Sequence, residues 1–365
     1  LHTGKEKYIV ISTITNLLRK FFMKRLILLF SFFFLALSIV QSQTVIGKYA
    51  GEFLAIGVGG RALAMGSAHT AVVGDVTAGY WNPAGLARIN YPQFSLMHEE
   101  HFGSLVNYNY GAVAIPYGKD MSFGVSLIRL SIDGIPDTRN ALYDANGDGI
   151  LDIHTDRLDY SKITEFSNTD WALYLSFAKR HSEKFYWGAN VKIIRRDLAE
   201  YGATGIGFDV GALYMPFDNL YLGANIQDVT TTLVAWSTGR NELITPTAKI
   251  GAAYSFEFLG GRILPALDLD LRFENRKYAS MFNVGPVSFD LHTGFEYNYK
   301  NIFAVRAGYN DVKQFTLGAG IYLPKLQIDY SFARFSQSES DRLPDSHRIS
   351  LILTLEEPNF LRGGE

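Results

Sequence analysis

The chain has 365 residues, a formal net charge of −2, no cysteine and an aromatic content of 14%. The lack of cysteine excludes disulfides and thiolate metal sites, and the near-neutral balance supplies no basic stripe for nucleic acid. Mean hydropathy is +0.03, too low for a bundle of membrane-spanning helices but compatible with a transmembrane β-barrel, in which every second side chain faces the lumen and is free to be polar.

In chain order, residues 1–22 precede a far better start at Met23 and read as an over-extended gene start. Met23-Lys24-Arg25 opens onto the apolar run LILLFSFFFLALSIV at 26–40, followed by Gln41-Ser42-Gln43. This is a basic n-region, an apolar h-region and a cleavage site with Val40 and Ser42 at the −3 and −1 positions. The run is shorter than the roughly 20 residues of a spanning helix. Residues 23–42 are therefore expected to be a signal peptide, and the mature chain to begin near Gln43 outside the cytoplasm.

Residues 43–92 are crowded with glycine and alanine and lack any strand rhythm. Asn82 before Pro83 has the form of a helix N-cap with proline at the first helical position, opening one turn that Gly85 weakens. Asp75, after Gly74, is placed to cap a second short turn. Small residues allow backbones to pack closely, so the segment is expected to be a plug tucked into the periplasmic half of a barrel. Gly57, Gly59 and Ala62 match G-x-G-x-x-A, but a dinucleotide site needs a preceding strand, a following helix and an acid about 20 residues on, and Asp75 comes too early.

From Gln93 onward the sequence divides into about fourteen segments, near 93–102, 106–117, 120–132, 169–181, 184–197, 204–216, 219–229, 245–258, 263–275, 285–298, 302–310, 313–323, 325–335 and 346–356. Each is apolar at every second position, the period of a strand; in TDWALYLSFAK, Trp171, Leu173, Leu175 and Phe177 share one face. The connections YGKD, HSEK, PFDN, LGGR, YKN and PK are short, whereas 133–168, 230–244 and 336–345 are long. Tight turns at one mouth and long loops at the other are the pattern of an outer-membrane barrel. Lys192, Asp209, Lys249, Asp268, Asp270, Arg272, Asp290, His292, Glu296, Arg306 and Asp329 fall on the less apolar faces. A Lys or Arg facing lipid at mid-bilayer costs about 2–4 kcal/mol, so these residues are expected inside. The fold class is thus an all-β, transmembrane antiparallel β-barrel of about 14 strands, residues 93–356, with a small N-terminal plug and a tail at 357–365.

The longest connection holds DANGDGILDIHTD. Asp144, Asn146 and Asp148 take positions 1, 3 and 5 of a calcium loop, Ile150 the carbonyl at 7 and Asp152 position 9. Position 12 is Thr155 instead of Glu, with Asp156 one step later. Calcium is the only cofactor the sequence suggests. MHEEHF is no zinc helix, because His98 and His101 are three apart on a strand and point to opposite faces. No nucleophile elbow or Ser-His-Asp order occurs, so an enzyme is not expected. Tyr80, Trp81, Trp171, Trp187, Tyr214, Tyr221, Tyr309 and Tyr322 fit an interfacial girdle. Trp236, in the apolar loop sequence LVAW, is expected to touch lipid, a partner or cargo.

GDVTAGYWNPAGLA resembles the N-terminal signature of the PorV/PorQ group within the FadL-like outer-membrane proteins, through Asp75, Ala78, Trp81, Asn82, Pro83, Ala84, Gly85 and Leu86. The resemblance extends over residues 44–356 through the strand number. It implies a monomeric plugged barrel in the outer membrane of a Gram-negative bacterium. In the PorV branch such a barrel serves type IX secretion, binding secreted cargo or attachment components through its extracellular loops. The alternative is the FadL branch, a plug-gated transporter of hydrophobic small molecules. Many such barrels close on an aromatic residue, whereas this chain continues as EEPNFLRGGE.

Overall fold

The computed structural model of the protein describes residues 51–101, 105–150, 152–273, 280–336 and 345–363. The expected leader, residues 43–50 of the N-terminal segment and residues 337–344 of the last long connection lie outside them.

Fourteen strands form the wall. They are β1 (Gln93–His101), β2 (Val106–Tyr117), β3 (Met121–Asp137), β4 (Thr164–Arg180), β5 (Phe185–Leu198) and β6 (Tyr201–Phe217). β7 runs as Leu220–Gln227 and Thr232–Trp236, and β8 as Asn241–Ile244, Thr247–Tyr254 and Phe256–Phe258. β9 (Gly261–Arg272), β10 (Val287–Tyr299), β11 (Phe303–Tyr309), β12 (Gln314–Leu323), β13 (Leu326–Phe335) and β14 (Ser346–Thr354) complete the wall. Neighbours are antiparallel, and β14 returns to β1 with Gln93 opposite Thr354 and Glu100 opposite His347. Closure leaves no open sheet edge, which in hydrocarbon would cost several kcal/mol per unpaired backbone group.

Alternation sorts the side chains. On β6, Ile206 is 55% exposed and Phe208 42%, whereas Asp209 is 1% exposed. The outward apolar run from Ile206 to Tyr214 covers about 20 Å of barrel height at ~3.3 Å per residue and a tilt of about 40°, close to the apolar thickness a barrel presents to lipid. Near the tight-turn mouth, Tyr117, Phe123, Phe177 and Trp187 touch in sequence across β2 to β5, with ring centroids 5.9, 5.5 and 5.5 Å apart. This is an aromatic girdle. No helix among the described residues is long and apolar enough to cross a membrane.

Two expected connections are shorter than the sequence indicated. The 133–168 connection shrinks because β3 continues to Asp137 and β4 starts at Thr164, past a register shift between Ile132 and Ile135. The 230–244 stretch is no loop: Thr232–Trp236 and Asn241–Ile244 pair with each other around a four-residue turn, as the upper ends of β7 and β8. Asp228 and Thr231, both at positive φ, break β7 just below, and this interruption hid the strand from a test of period two.

The N-terminal segment lies inside the wall. It holds the helices α1 (Gly60–Ala64) and α2 (Ala78–Trp81) and a 3-10 turn over Pro83–Arg88, nearly all buried. A wall of this width cannot be filled by its own side chains, as about eight strands can. The segment supplies the missing volume. Gly60 meets Asp329 of β13, Gly66 meets Tyr309 of β11, Thr70 meets Gly223 of β7, and Gly79 meets Ser126 of β3 and Ser176 of β4.

Candidate functional site

The motif GYWNPAGLAR is the packing centre of the lumen. The Asn82 carboxamide oxygen accepts the Ala84 N–H at 3.2 Å, with Pro83 at the first position of the turn, so the cap read from sequence is present. Its amide nitrogen donates to the Thr70 carbonyl at 2.9 Å and to the wall carbonyl of Ala212 at 3.1 Å. The Asp75 carboxylate accepts the Thr77 N–H at 2.8 Å just ahead of α2, whose own N-cap, Thr77, makes no side-chain cap bond. The Trp81 indole donates to the Val58 carbonyl at 2.8 Å, and its ring stands edge-on to Tyr80 at 4.9 Å and His69 at 5.8 Å. Pro83 and Ala84 lie against Gly188 of β5, where a Cβ would fall 2.6 Å from the Pro83 carbonyl carbon. That contact explains why the wall is glycine there: only a bare backbone leaves room.

The wall charges all face this segment or one another. Lys192 pairs with Asp228 at 2.7 Å and Asp209 at 3.3 Å. Arg306 joins Glu296 at 2.6 Å, Asp329 at 2.7 Å and the Tyr322 hydroxyl at 2.9 Å. Arg61 of the segment binds the same Glu296 at 2.8 Å. One carboxylate oxygen of Asp268 accepts the His69 and Thr70 N–H groups at 2.8 and 2.7 Å. Asp270 is paired with Lys249 and approached by Arg272 and His292. Charges buried this deeply persist only when paired and hydrogen-bonded, and the pairs fasten the segment to β9 and β10. Arg61, His69 and Thr70 were not singled out from sequence; the one cue was a lone arginine inside the small-residue run GGRALAMGSA.

Above the segment, at the mouth with the long connections, lies a cavity of about 530 Å³. Its lining is apolar at Phe53, Ile56, Leu63 and Trp81 from the segment and at Leu130 and Ile132 of β3. The paired charges Arg196, Lys249, Asp270 and Arg272 line it as well. Arg196 is held by Asp170 at 2.8 Å, and its guanidinium lies over the rings of Phe53 and Trp236 at 5.8 and 5.5 Å. The cavity therefore combines apolar contact with fixed, paired charges.

The remaining sequence expectations fall elsewhere. Trp236 shares the inward face of β7 with Thr232 and Val234 and sits beneath Arg196, so it does not present its ring to lipid. Tyr80, Trp81 and Tyr322 are lumenal and leave the girdle to Trp187, Tyr214 and their neighbours; Tyr221 lies under Arg88 at 5.4 Å. In the 144–156 loop, Asp144 accepts the Gly147 and Gly149 N–H groups at 2.5 and 2.7 Å. Asn146 accepts Asp148 N–H at 3.0 Å, and Asp148 accepts Ile150 N–H at 2.8 Å. Asp156 spans the loop, taking Ala145 and Asp152 N–H at 3.0 and 2.8 Å. Among the described residues no three His, Asp or Glu side chains converge to hold a metal ion.

These features define a class: a closed fourteen-stranded barrel of outer-membrane type whose lumen is filled by the chain's own N-terminal segment. No protein-family profile matches the sequence, and no curated protein does. Among solved structures, the fold matches the toluene transporter TbuX of Ralstonia pickettii, with a TM-score of 0.53 and 14% identity over 82% of this chain and 98% of that one. It likewise matches the toluene transporter TodX of P. putida, at 0.52 and 14% over 82% and 99%. A FadL homologue of Pseudomonas aeruginosa gives 0.50 and 13% over 81% and 97%. At such identities the likeness is one of fold, and the chain has the FadL-type barrel fold.

Proposed function

We propose that the protein is a non-enzymatic channel of the Gram-negative outer membrane that admits hydrophobic small molecules through its lumen. The observation that carries this reading is the cavity of about 530 Å³, within the ~300–1,000 Å³ usual for small-ligand sites and apolar where the plug forms its floor. Barrels of the same fold are described as toluene transporters and a monoaromatic hydrocarbon channel, and we take uncharged monoaromatic compounds as the ligand class here. Trp81 on the cavity floor supplies a probe. A brominated monoaromatic is expected to quench tryptophan fluorescence saturably in the detergent-solubilised barrel, and Leu130→Asp in the cavity wall to abolish the effect. Absence of saturable quenching, together with no uptake into vesicles above the protein-free rate, rejects the proposal.

A second reading, protein export of the PorV/PorQ kind with secreted cargo or attachment components as partners, rests on the Asp75–Leu86 signature. Packing accounts for those residues without cargo, since Trp81, Asn82, Pro83, Ala84 and Gly85 are buried. A deletion strain separates the two readings: loss of surface proteins with intact uptake selects export, and the reverse selects transport.

A further inference from the structure

The geometry points to residues 357–362 acting as a strap that locks the lumenal segment at the tight-turn mouth. After β14 the chain turns through Pro358–Phe360 and crosses beneath the barrel. The Arg362 N–H donates to the Asn90 carbonyl at 2.8 Å. Its guanidinium donates twice to the Ile89 carbonyl, at 2.9 and 2.7 Å, once to the Met121 carbonyl at 2.8 Å and once to the Ser122 hydroxyl at 2.5 Å. Ile89 and Asn90 link the Pro83–Arg88 turn to β1, and Met121 and Ser122 begin β3. One side chain thus ties the exit of the segment to a wall strand two positions away. The fork geometry of arginine suits this task, because one planar group satisfies three acceptors at once. Ile89 lies just outside the β1 ladder and is buried, so without the strap its carbonyl loses the donors that Arg362 provides, and a buried carbonyl left unmade is costly. Lys325, in the turn before β13, pairs with Glu357 and fixes the strap's other end.

This inference rests on the transport reading for its purpose, though its test does not. The chain contains no cysteine, so Ala87→Cys places a single thiol at a site that is 0% exposed. In the detergent-solubilised full-length protein, maleimide labelling of this thiol is expected to be slow. Adding Arg362→Ala is expected to raise the rate about tenfold or more, as local opening of the segment becomes accessible. Arg362→Lys, which keeps a single charged donor group, should fall between. Heat-modifiable gel migration reports whether each barrel is folded; if Arg362→Ala fails to fold, Arg362→Gln makes the same comparison. Equal labelling rates with and without Arg362 overturn the strap. A tenfold contrast with no solute uptake leaves the strap standing and removes only the transport reading.

Discussion

Asn82 has two separable roles, and substitutions divide them. Alanine removes the cap, worth about 1 kcal/mol, and leaves the Thr70 carbonyl without its donor, worth about 1–3 kcal/mol when buried. Aspartate keeps the acceptor for the Ala84 N–H but loses the donor and sets a charge against two carbonyls. Asn82→Asp is therefore expected to lower the guanidinium midpoint at least as far as Asn82→Ala. A wild-type midpoint for the aspartate variant would show that the carbonyl contacts contribute nothing. Gly188→Ala belongs to the same scale: its methyl would meet Pro83 backbone at 2.6 Å, so the segment must shift and protection of its amides from exchange should fall. Sequence made the Asn82 cap legible because capping is local and Asn-Pro encodes it in two adjacent positions. The Arg61–Glu296 pair was illegible because its partners are 235 residues apart, and nothing local links them.

Strands were legible for a related reason. Period two is a property of each strand alone, and the apolar face points outward all round the barrel. The exceptions were the upper ends of β7 and β8, where the Asp228–Thr231 break shifts the phase, and the far ends of β3 and β4, which rise past the apolar band and lose its patterning. The 144–156 loop carries a pH prediction. Asp144 accepts the Gly149 and Gly147 N–H groups, and these bonds hold its carboxyl below the usual aspartate range. A depressed carboxyl stabilises the folded loop above its ordinary pKa, and this contribution is lost as pH falls through the lowered value. The amide resonances of Gly147 and Gly149 should therefore stay constant through neutral pH and move together only in acid, below the ordinary aspartate titration. The same amides test the calcium proposal. Calcium would engage the Asp144 carboxylate that holds both N–H groups, with Asp148 as a further ligand, so its addition at neutral pH should shift both resonances in the wild type and not in Asp148→Ala. Unmoved wild-type amides at millimolar calcium reject it.

At the scale of the molecule, the wall and its filling are separable structures. Wall closure depends on the β1–β14 ladder, which includes no residue before Gln93, so the barrel should close without its filling. Deleting residues 51–88 removes Arg61 but leaves Glu296 with Arg306, and removes the two N–H groups on Asp268 but exposes that carboxylate to water. Neither charge is stranded in a dry interior, the condition that makes a broken pair expensive. A wall of this width without its segment should then hold water, as wider barrels do. The intact protein is expected to show no steady conductance in a planar bilayer, and the deletion variant a stable open pore with retained heat-modifiable migration. Its ion preference follows from the wall. Among the described lumen-facing residues, Glu99, Asp170, Asp209, Asp228, Asp268, Asp270, Asp290, Glu296 and Asp329 outnumber Lys192, Arg196, Lys249, Arg272, Arg306 and Arg348. Acidic linings raise the local concentration of cations, so the reversal potential in a salt gradient should lie on the cation-selective side. An emptied barrel that stays electrically closed would mean that the wall collapses on itself, and that the segment builds the lumen instead of occupying it.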